Sequence, residues 1–164
     1  MKNKRQLLLI ICLVFGFNTI ILAQNFPEVS LQTEKGAKFE TASLVDGKTP
    51  FIVSFWSTTC KPCIQELDAI SEQFPDWIEE LDFRVVAVSI DDSRSVTRAK
   101  SMAVGRGWTD FTLLFDVNQD FKRALNVIYT PQVFIFDKDG KKVYEHSGYS
   151  PGAEGELFDT IISL

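Results

Sequence analysis

Blocks of apolar residues, separated by polar turns, divide this chain into a series of predicted strands and helices. Two continuous apolar runs, Phe51–Trp56 and residues 83–90, have the length of strands that are covered on both faces of a sheet. A third run, Gln132–Phe136, predicts another strand, and the turn at residues 137–140 connects it to a partner strand at residues 141–146. These runs are expected to form the centre of the fold.

A helix is predicted directly after the first of these strands. Its apolar positions recur at steps of four, three and four, a spacing that places them on one stripe: Cys63, Leu67, Ile70 and Phe74. Pro75 is expected to stop the helix, because proline lacks a backbone donor and disfavours the helical conformation in the residue before it. Residues 76–81 are expected to resume the helix after that break.

Weaker patterns complete the chain. They predict a β-hairpin in residues 26–44, helices over residues 94–104, 118–125 and 153–162, and a strand within residues 110–115. Asp91 and Asp92 are interpreted as a cap of the helix that follows them and nothing more. Strands that alternate with helices predict an α/β fold with a mixed central sheet and helices on both faces.

Composition and charge narrow the range of functions. The chain has 164 residues, 45% of them hydrophobic, which indicates a single domain with room for a core. The formal net charge is −5, and this acidity argues against a surface that binds nucleic acid or anionic membranes. We expect a monomer that needs no cofactor.

The N-terminal segment is predicted to be a targeting signal rather than part of the fold. Three basic residues precede an apolar run at residues 7–17, and residues 22–24 offer a cleavage point. Residues 1–23 would then be a signal peptide, Cys12 would be discarded with it, and residues 24–164 would form the folded domain. The alternative is an uncleaved membrane anchor through residues 7–23, although this stretch is shorter than the ~20 residues that usually span a bilayer.

Two cysteines at the start of the predicted helix carry the strongest chemical signal. Cys60 and Cys63 are separated by Lys61 and Pro62, and proline fits the first turn of a helix. The helix N-terminus and the charge of Lys61 favour a thiolate at Cys60, which is therefore the expected nucleophile. Cys63 lies on the apolar stripe and is the expected buried resolving thiol. A pair at this spacing can cycle between dithiol and disulfide.

The segment FWSTTCKPC, placed after an apolar strand, resembles the active site of the thioredoxin superfamily. It is most similar to the exported TlpA/ResA type of thiol-disulfide oxidoreductase. The resemblance implies a thioredoxin-like fold with an N-terminal β-hairpin and a central insertion at residues 93–125. Two positions depart from relatives: Ser54 stands where thioredoxin has a buried aspartate, and Thr59 stands where many relatives have tryptophan.

The same resemblance assigns the substrate surface. In this superfamily a cis-proline faces the cysteine pair, and the Thr130–Pro131 step occupies that place before a strand. A cis peptide bond has a small free-energy cost only when the residue that follows it is proline. The backbone of Thr130 would then be free to pair with an extended substrate peptide. The remaining substrate-binding candidates around the cysteines are Trp56, Thr59, Lys61 and Pro62.

Glu66, three residues after Cys63, matches an acid that TlpA/ResA-like proteins carry at this point of the helix. Because Ser54 cannot relay a proton as an acid would, Glu66 is the candidate proton acceptor for Cys63. Proximity to the apolar Phe55 and to a buried thiol would raise its pKa. The plainer interpretation is a solvated glutamate on the helix surface.

The resemblance also implies the reaction. Relatives commonly act in the reductive direction on exported thiol proteins such as apocytochrome c, with electrons from a membrane partner. Other functions remain open: a disulfide isomerase, a thiol peroxidase, and a copper-delivery module using Cys60, Cys63 and the single histidine, His146. The peroxidase pattern Pro-x-x-x-Thr-x-x-Cys is not matched before Cys60, and a closed zinc site would need more ligands than the chain offers.

Overall fold

The computed structural model describes residues 26–164, so the predicted targeting segment lies outside the described residues. Seven strands are present in this range: β1 Ser30–Thr33, β2 Lys38–Glu40, β3 Phe51–Trp56, β4 Arg84–Ser89, β5 Thr112–Phe115, β6 Gln132–Phe136 and β7 Lys142–Ser147. Four α-helices accompany them: α1 Lys61–Glu80, α2 Val96–Gly105, α3 Asp120–Ala124 and α4 Glu154–Ile162. Short 3-10 helices span Thr41–Leu44 and Trp108–Asp110.

The strands form one mixed sheet in the order β2-β1-β5-β4-β3-β6-β7. β3 is central, pairs in parallel with β4 and antiparallel with β6, and β4 pairs in parallel with β5. The hairpins β1–β2 and β6–β7 add antiparallel strands at the two edges. The predicted α/β class, thioredoxin-like order and N-terminal hairpin are therefore confirmed.

Side chains of β3 alternate between two apolar layers, although all six residues of this strand are buried. Ile52 and Trp56 pack beneath α1, α2 and α4, whereas Phe51, Val53 and Phe55 pack on the other face with α3 and the chain that precedes β3. The expectation that Phe55 lies near Glu66 was wrong, because α1 packs on the opposite face of the sheet.

Pro75 does not end the helix, which corrects the predicted break. Helix α1 continues through it to Glu80, and Pro75 itself is exposed to solvent. Its buried neighbours are held by aromatic packing: Phe74 contacts Phe83 with ring centroids 5.4 Å apart, and Trp77 stacks on Phe158 at 5.0 Å. This packing offsets a local cost of about 3 kcal/mol for proline inside a helix.

A bulge sets which way β7 presents its side chains. Phe136 pairs with Lys142, but Ile135 pairs with Tyr144, so Val143 is an extra residue in β7. Beyond the bulge, His146 lies opposite Val133 and therefore on the face covered by α1. Without the extra residue His146 would lie opposite Gln132 and would face the other layer, because a one-residue shift reverses every side chain.

Candidate active site

The cysteine pair begins helix α1 at the end of the central strand. Cys60 is the N-cap residue, its Sγ accepts a hydrogen bond from the Cys63 backbone N–H at 3.3 Å, and Pro62 lies in the first turn. The two cysteines form a disulfide with a Cα–Cα distance of 5.3 Å. The sulfur of Cys60 therefore lies among the free amides of the helix start, where negative charge is stabilised.

The two sulfurs differ in their access to solvent. Cys63 is completely buried, whereas Cys60 is half-buried and is flanked by the exposed Thr59, Lys61 and Pro62. A protein substrate can reach only the accessible sulfur, so this difference favours Cys60 as the attacking thiol and Cys63 as the resolving one.

A cis peptide bond joins Thr130 to Pro131. Phe55 pairs with Gln132 in the β3–β6 ladder, so Pro131 lies at the end of β3 from which the cysteine turn begins. The Pro131 carbonyl accepts a hydrogen bond from Gly148 N–H at 2.9 Å. Across residues 26–164 the Thr130 backbone pairs with no other backbone group, which leaves it available to an extended peptide.

Trp56 does not belong to the substrate surface, in contrast to its sequence assignment. Its side chain is completely buried and contacts Trp108 edge to face, with ring centroids 5.0 Å apart. Trp56 occupies the strand position that points beneath α1, where it fills the layer between helix and sheet. Its role is packing under the cysteine turn.

Glu66 is a buried acid and not a solvated surface residue. Its side chain is 1% exposed, and its Oε1 lies 2.8 Å from Nε2 of His146. Burial raises the pKa of Glu66 above its ordinary value, and the hydrogen bond and charge of His146 oppose that rise. The nearby Ser54 hydroxyl also lowers the pKa of Glu66. Its Oγ has no hydrogen bond of good geometry within residues 26–164, so this contribution is smaller than that of His146.

The geometry around His146 does not favour the copper module. Its Nε2 is directed at the Glu66 carboxyl, and residues 26–164 contain no group of three histidine, cysteine or acidic side chains that could hold a metal ion. His146 instead joins the polar groups beneath the cysteine helix. From the sequence His146 was interpreted as a possible copper ligand or as a solvated or packed side chain, and its contact with Glu66 was missed because the two residues lie 80 positions apart in the chain.

Asp91 has a role that its interpretation as a helix cap missed. Its carboxyl group is buried and accepts hydrogen bonds from the Thr58 backbone N–H at 2.9 Å, from the Thr58 hydroxyl at 2.7 Å and from Ser89 Oγ at 2.9 Å. Asp92 does not cap the helix either: it accepts hydrogen bonds from Arg94 N–H and from the hydroxyl of Ser95 in the turn before α2, and Ser95 is the N-cap residue. Asp91 thus anchors the cysteine turn, through Thr58, at the end of β4, where Ser89 is the last residue.

Replacing Asp91 by Asn is expected to loosen this turn. The amide would present a donor to groups that now donate to the carboxyl, which costs about 1–3 kcal/mol for a buried site. We expect a lower free energy of unfolding in urea and a changed alkylation rate of Cys60 in the reduced protein. Asp92→Asn is the matched control, because this neighbouring side chain is partly exposed and asparagine keeps an oxygen that can accept the same turn hydrogen bonds. Equal losses in both variants would contradict the anchoring role.

Two exposed apolar side chains adjoin the cis-proline loop. Ile128 and Tyr129 immediately precede Thr130 and are the most exposed large hydrophobic residues in the described part of the chain. Neither residue was assigned a role from the sequence, although two bulky apolar residues directly before a Thr-Pro step are visible there. Together with the unpaired backbone of Thr130 they form an exposed stretch that leads into Pro131, at the end of β3 where the cysteine turn begins.

Comparison with known proteins identifies the family to which this chain belongs. The model described as the AhpC/TSA family matches residues 22–144. The thiol-disulfide oxidoreductase ResA of Bacillus thuringiensis subsp. konkukian (strain 97-27) is 27% identical over 163 residues, which cover 90% of this chain and 91% of that protein. The thioredoxin-like protein YneN of Bacillus subtilis (strain 168) is 33% identical over 122 residues, covering 71% of this chain and 66% of that protein.

A solved structure agrees with these relatives. The solution structure of an uncharacterized thioredoxin-like protein from Porphyromonas gingivalis has a TM-score of 0.74 and 45% sequence identity, and the match covers 87% of this chain and 92% of that one. The family match spans most of the chain, and the ResA relative aligns over nearly its whole length. This chain therefore belongs to the AhpC/TSA family, and it is a thiol-disulfide oxidoreductase with a thioredoxin-like fold.

Proposed function

We propose that this protein reduces disulfides in exported proteins, with Cys60 and Cys63 as the reacting pair. The observation that carries the proposal is the disulfide between an accessible and a buried sulfur at a helix N-terminus. The open Thr130 backbone next to it supports binding of an extended segment around a substrate cysteine.

The exchange takes place in two steps that move two electrons from protein to substrate. The Cys60 thiolate attacks one sulfur of the substrate disulfide, and the other substrate sulfur leaves as a thiolate. The Cys63 thiolate then attacks Sγ of Cys60, which breaks the mixed disulfide and releases the second substrate thiolate. The protein is left with the Cys60–Cys63 disulfide, and an electron donor must reduce it before another cycle.

Glu66 supplies the base for the second step. Cys63 is completely buried, and burial disfavours its charged form, so its proton needs an acceptor close by. Glu66 follows Cys63 by three positions on α1, is itself buried, and has a carboxyl pKa raised toward the range useful for proton transfer. Its Oε2 has no hydrogen-bond partner within residues 26–164 and is the oxygen available to receive the proton.

The cellular setting is part of the same proposal. Residues 1–23 have the pattern of an export signal, and export delivers the protein to a compartment in which disulfides form. None of the helices in residues 26–164 has the length and apolar character needed to cross a membrane. By analogy with ResA-like relatives, the substrates are exported thiol proteins such as apocytochrome c, and the electron donor is a membrane protein.

The equilibrium potential of the Cys60/Cys63 couple against glutathione tests the direction. A reductant is expected near the ~−270 mV of thioredoxin, and an oxidant near the ~−120 mV of the strongly oxidising DsbA. A value at the oxidising end would overturn the reductive assignment but would leave disulfide exchange intact. Consumption of hydroperoxide and refolding of scrambled protein, measured with the same preparation, would identify a peroxidase or an isomerase.

A further inference from the structure

We propose that His146 is a positioning residue, which holds the Glu66 carboxylate charged and oriented for the proton of Cys63. The inference rests on the proposed function, because it assigns a partner to the base of the resolving step. His146 touches neither sulfur in this assignment and acts through Glu66.

The contact between the two side chains is shielded from solvent. Nε2 of His146 lies 2.8 Å from Oε1 of Glu66, and the two side chains are 18% and 1% exposed. A hydrogen bond to a carboxylate is stronger in such a site than in water. Nε2 engages Oε1, whereas the second oxygen, Oε2, is buried and has no hydrogen-bond partner within residues 26–164.

The sheet brings His146 to this place by register. Ser54 pairs with Val133 in the β3–β6 ladder, and Val133 pairs with His146 in the β6–β7 ladder. The three residues form one row across neighbouring strands, on the face that α1 covers. The serine of this row occupies the position of thioredoxin's buried aspartate, so here the polar groups are supplied by α1 and by β7, two strands away.

Imidazole suits this role because it can donate to Glu66 at every stage of the transfer. With Glu66 ionised, Nε2–H donates to Oε1 whether the ring is neutral or charged. When Oε2 takes the proton from Cys63, Oε1 becomes a carbonyl oxygen that still accepts the same hydrogen bond. The carboxyl group therefore gains and loses a proton without turning away from the thiol.

The other titratable groups around Glu66 and His146 either oppose the lowering of the Glu66 pKa by His146 or remain neutral. Glu154, at the start of α4, raises the pKa of Glu66 by repulsion of like charges. Tyr144, on β7 with its ring 5.7 Å from that of His146, has its pKa raised to about 12 by burial and by Glu156. Tyr149 has its pKa raised to about 12 by burial and by Glu154, so both phenols are neutral in the test below.

The test is stopped-flow kinetics of mixed-disulfide resolution from pH 5 to pH 9 with His146→Leu and His146→Gln. Loss of His146 removes two causes that lower the Glu66 pKa, so the carboxylate fraction at low pH falls. We expect His146→Leu to resolve up to about tenfold more slowly on the acid side of the Glu66 titration, where a shift of one pKa unit changes the carboxylate fraction about tenfold, and to match the wild type at pH values above both titrations. His146→Gln retains a donor and should fall between them, and the first attack by Cys60 should be unchanged in both.

Tyr144→Phe is the matched control, since it alters a half-buried polar group on the same strand and leaves the Glu66 hydrogen bond in place. A carbon NMR titration of the Glu66 carboxyl should show an upward pKa shift in His146→Leu and a smaller one in His146→Gln, a change that altered packing alone would not produce. Equal slowing at every pH, or an unshifted Glu66 titration, would overturn the role of His146.

The Glu66→Gln variant separates a failure of this inference from a failure of the proposed function. If Glu66→Gln resolves the mixed disulfide at the wild-type rate, the proton step of the proposed function fails and the role of His146 fails with it. If Glu66→Gln is slow and His146→Leu is normal, only the inference fails.

Discussion

Cys60→Ser is expected to abolish disulfide exchange, whereas Cys63→Ser should still attack substrate and remain attached to it. The accessible sulfur of Cys60 is the one a substrate can reach, and the buried sulfur of Cys63 is needed to release the mixed disulfide. Incubation of each variant with a model protein disulfide, followed by non-reducing electrophoresis, measures the trapped species. We expect a stable adduct with Cys63→Ser and none with Cys60→Ser.

Alkylation of the reduced wild type provides an independent check of the same assignment. Below pH 7 the thiol with the lower pKa should react first, and the helix N-terminus favours the thiolate of Cys60. Mass spectrometry of partly labelled protein identifies the residue. Preferential labelling of Cys63, or an adduct with Cys60→Ser, would reverse the two roles.

The fold was largely predictable because its centre consists of unbroken apolar runs. Phe51–Trp56 and Gln132–Phe136 were predicted as strands from their apolar runs alone, and the structure pairs them side by side. The error at Pro75 has a physical origin: local propensity disfavours the helix there, whereas aromatic packing of Phe74 on Phe83 and of Trp77 on Phe158 maintains it. Such long-range packing cannot be read from a local pattern.

In the active site, too, local motifs could be predicted from the sequence and long-range contacts could not. The cysteine turn lies within one local motif, so Cys60, Cys63 and Pro62 could be placed from sequence alone. The contacts of Asp91 with Thr58 and of His146 with Glu66 join residues 33 and 80 positions apart. The second of these also depends on the bulge in β7, and nothing in the hairpin turn at residues 137–140 predicts that shift of one residue.

Glu66→Gln is expected to slow resolution of the mixed disulfide by about 10²–10⁴-fold, the range typical for loss of a positioned base. The first attack by Cys60 should be nearly unchanged, because that thiolate is stabilised by the helix start and not by Glu66. The wild-type rate of resolution should rise with pH as Glu66 ionises, with a midpoint above the ordinary carboxyl pKa, and Glu66→Gln should lose this rise. Stopped-flow measurement of both half-reactions from pH 5 to pH 9 separates the two steps.

Stability provides the control for this variant and tests whether the buried charge is kept for function. The pKa of Glu66 is raised in the folded state, so its proton stabilises the fold in full below the unfolded pKa, and this stabilisation is lost as pH rises through the folded value. Above the folded pKa the ionised side chain therefore opposes folding, and in that range neutral glutamine should give an equal or higher free energy of unfolding with a weaker pH dependence. A variant that resolves slowly but unfolds no more easily would show that the fold retains this charge for proton transfer. Slow resolution accompanied by a marked loss of stability would instead assign Glu66 a structural role.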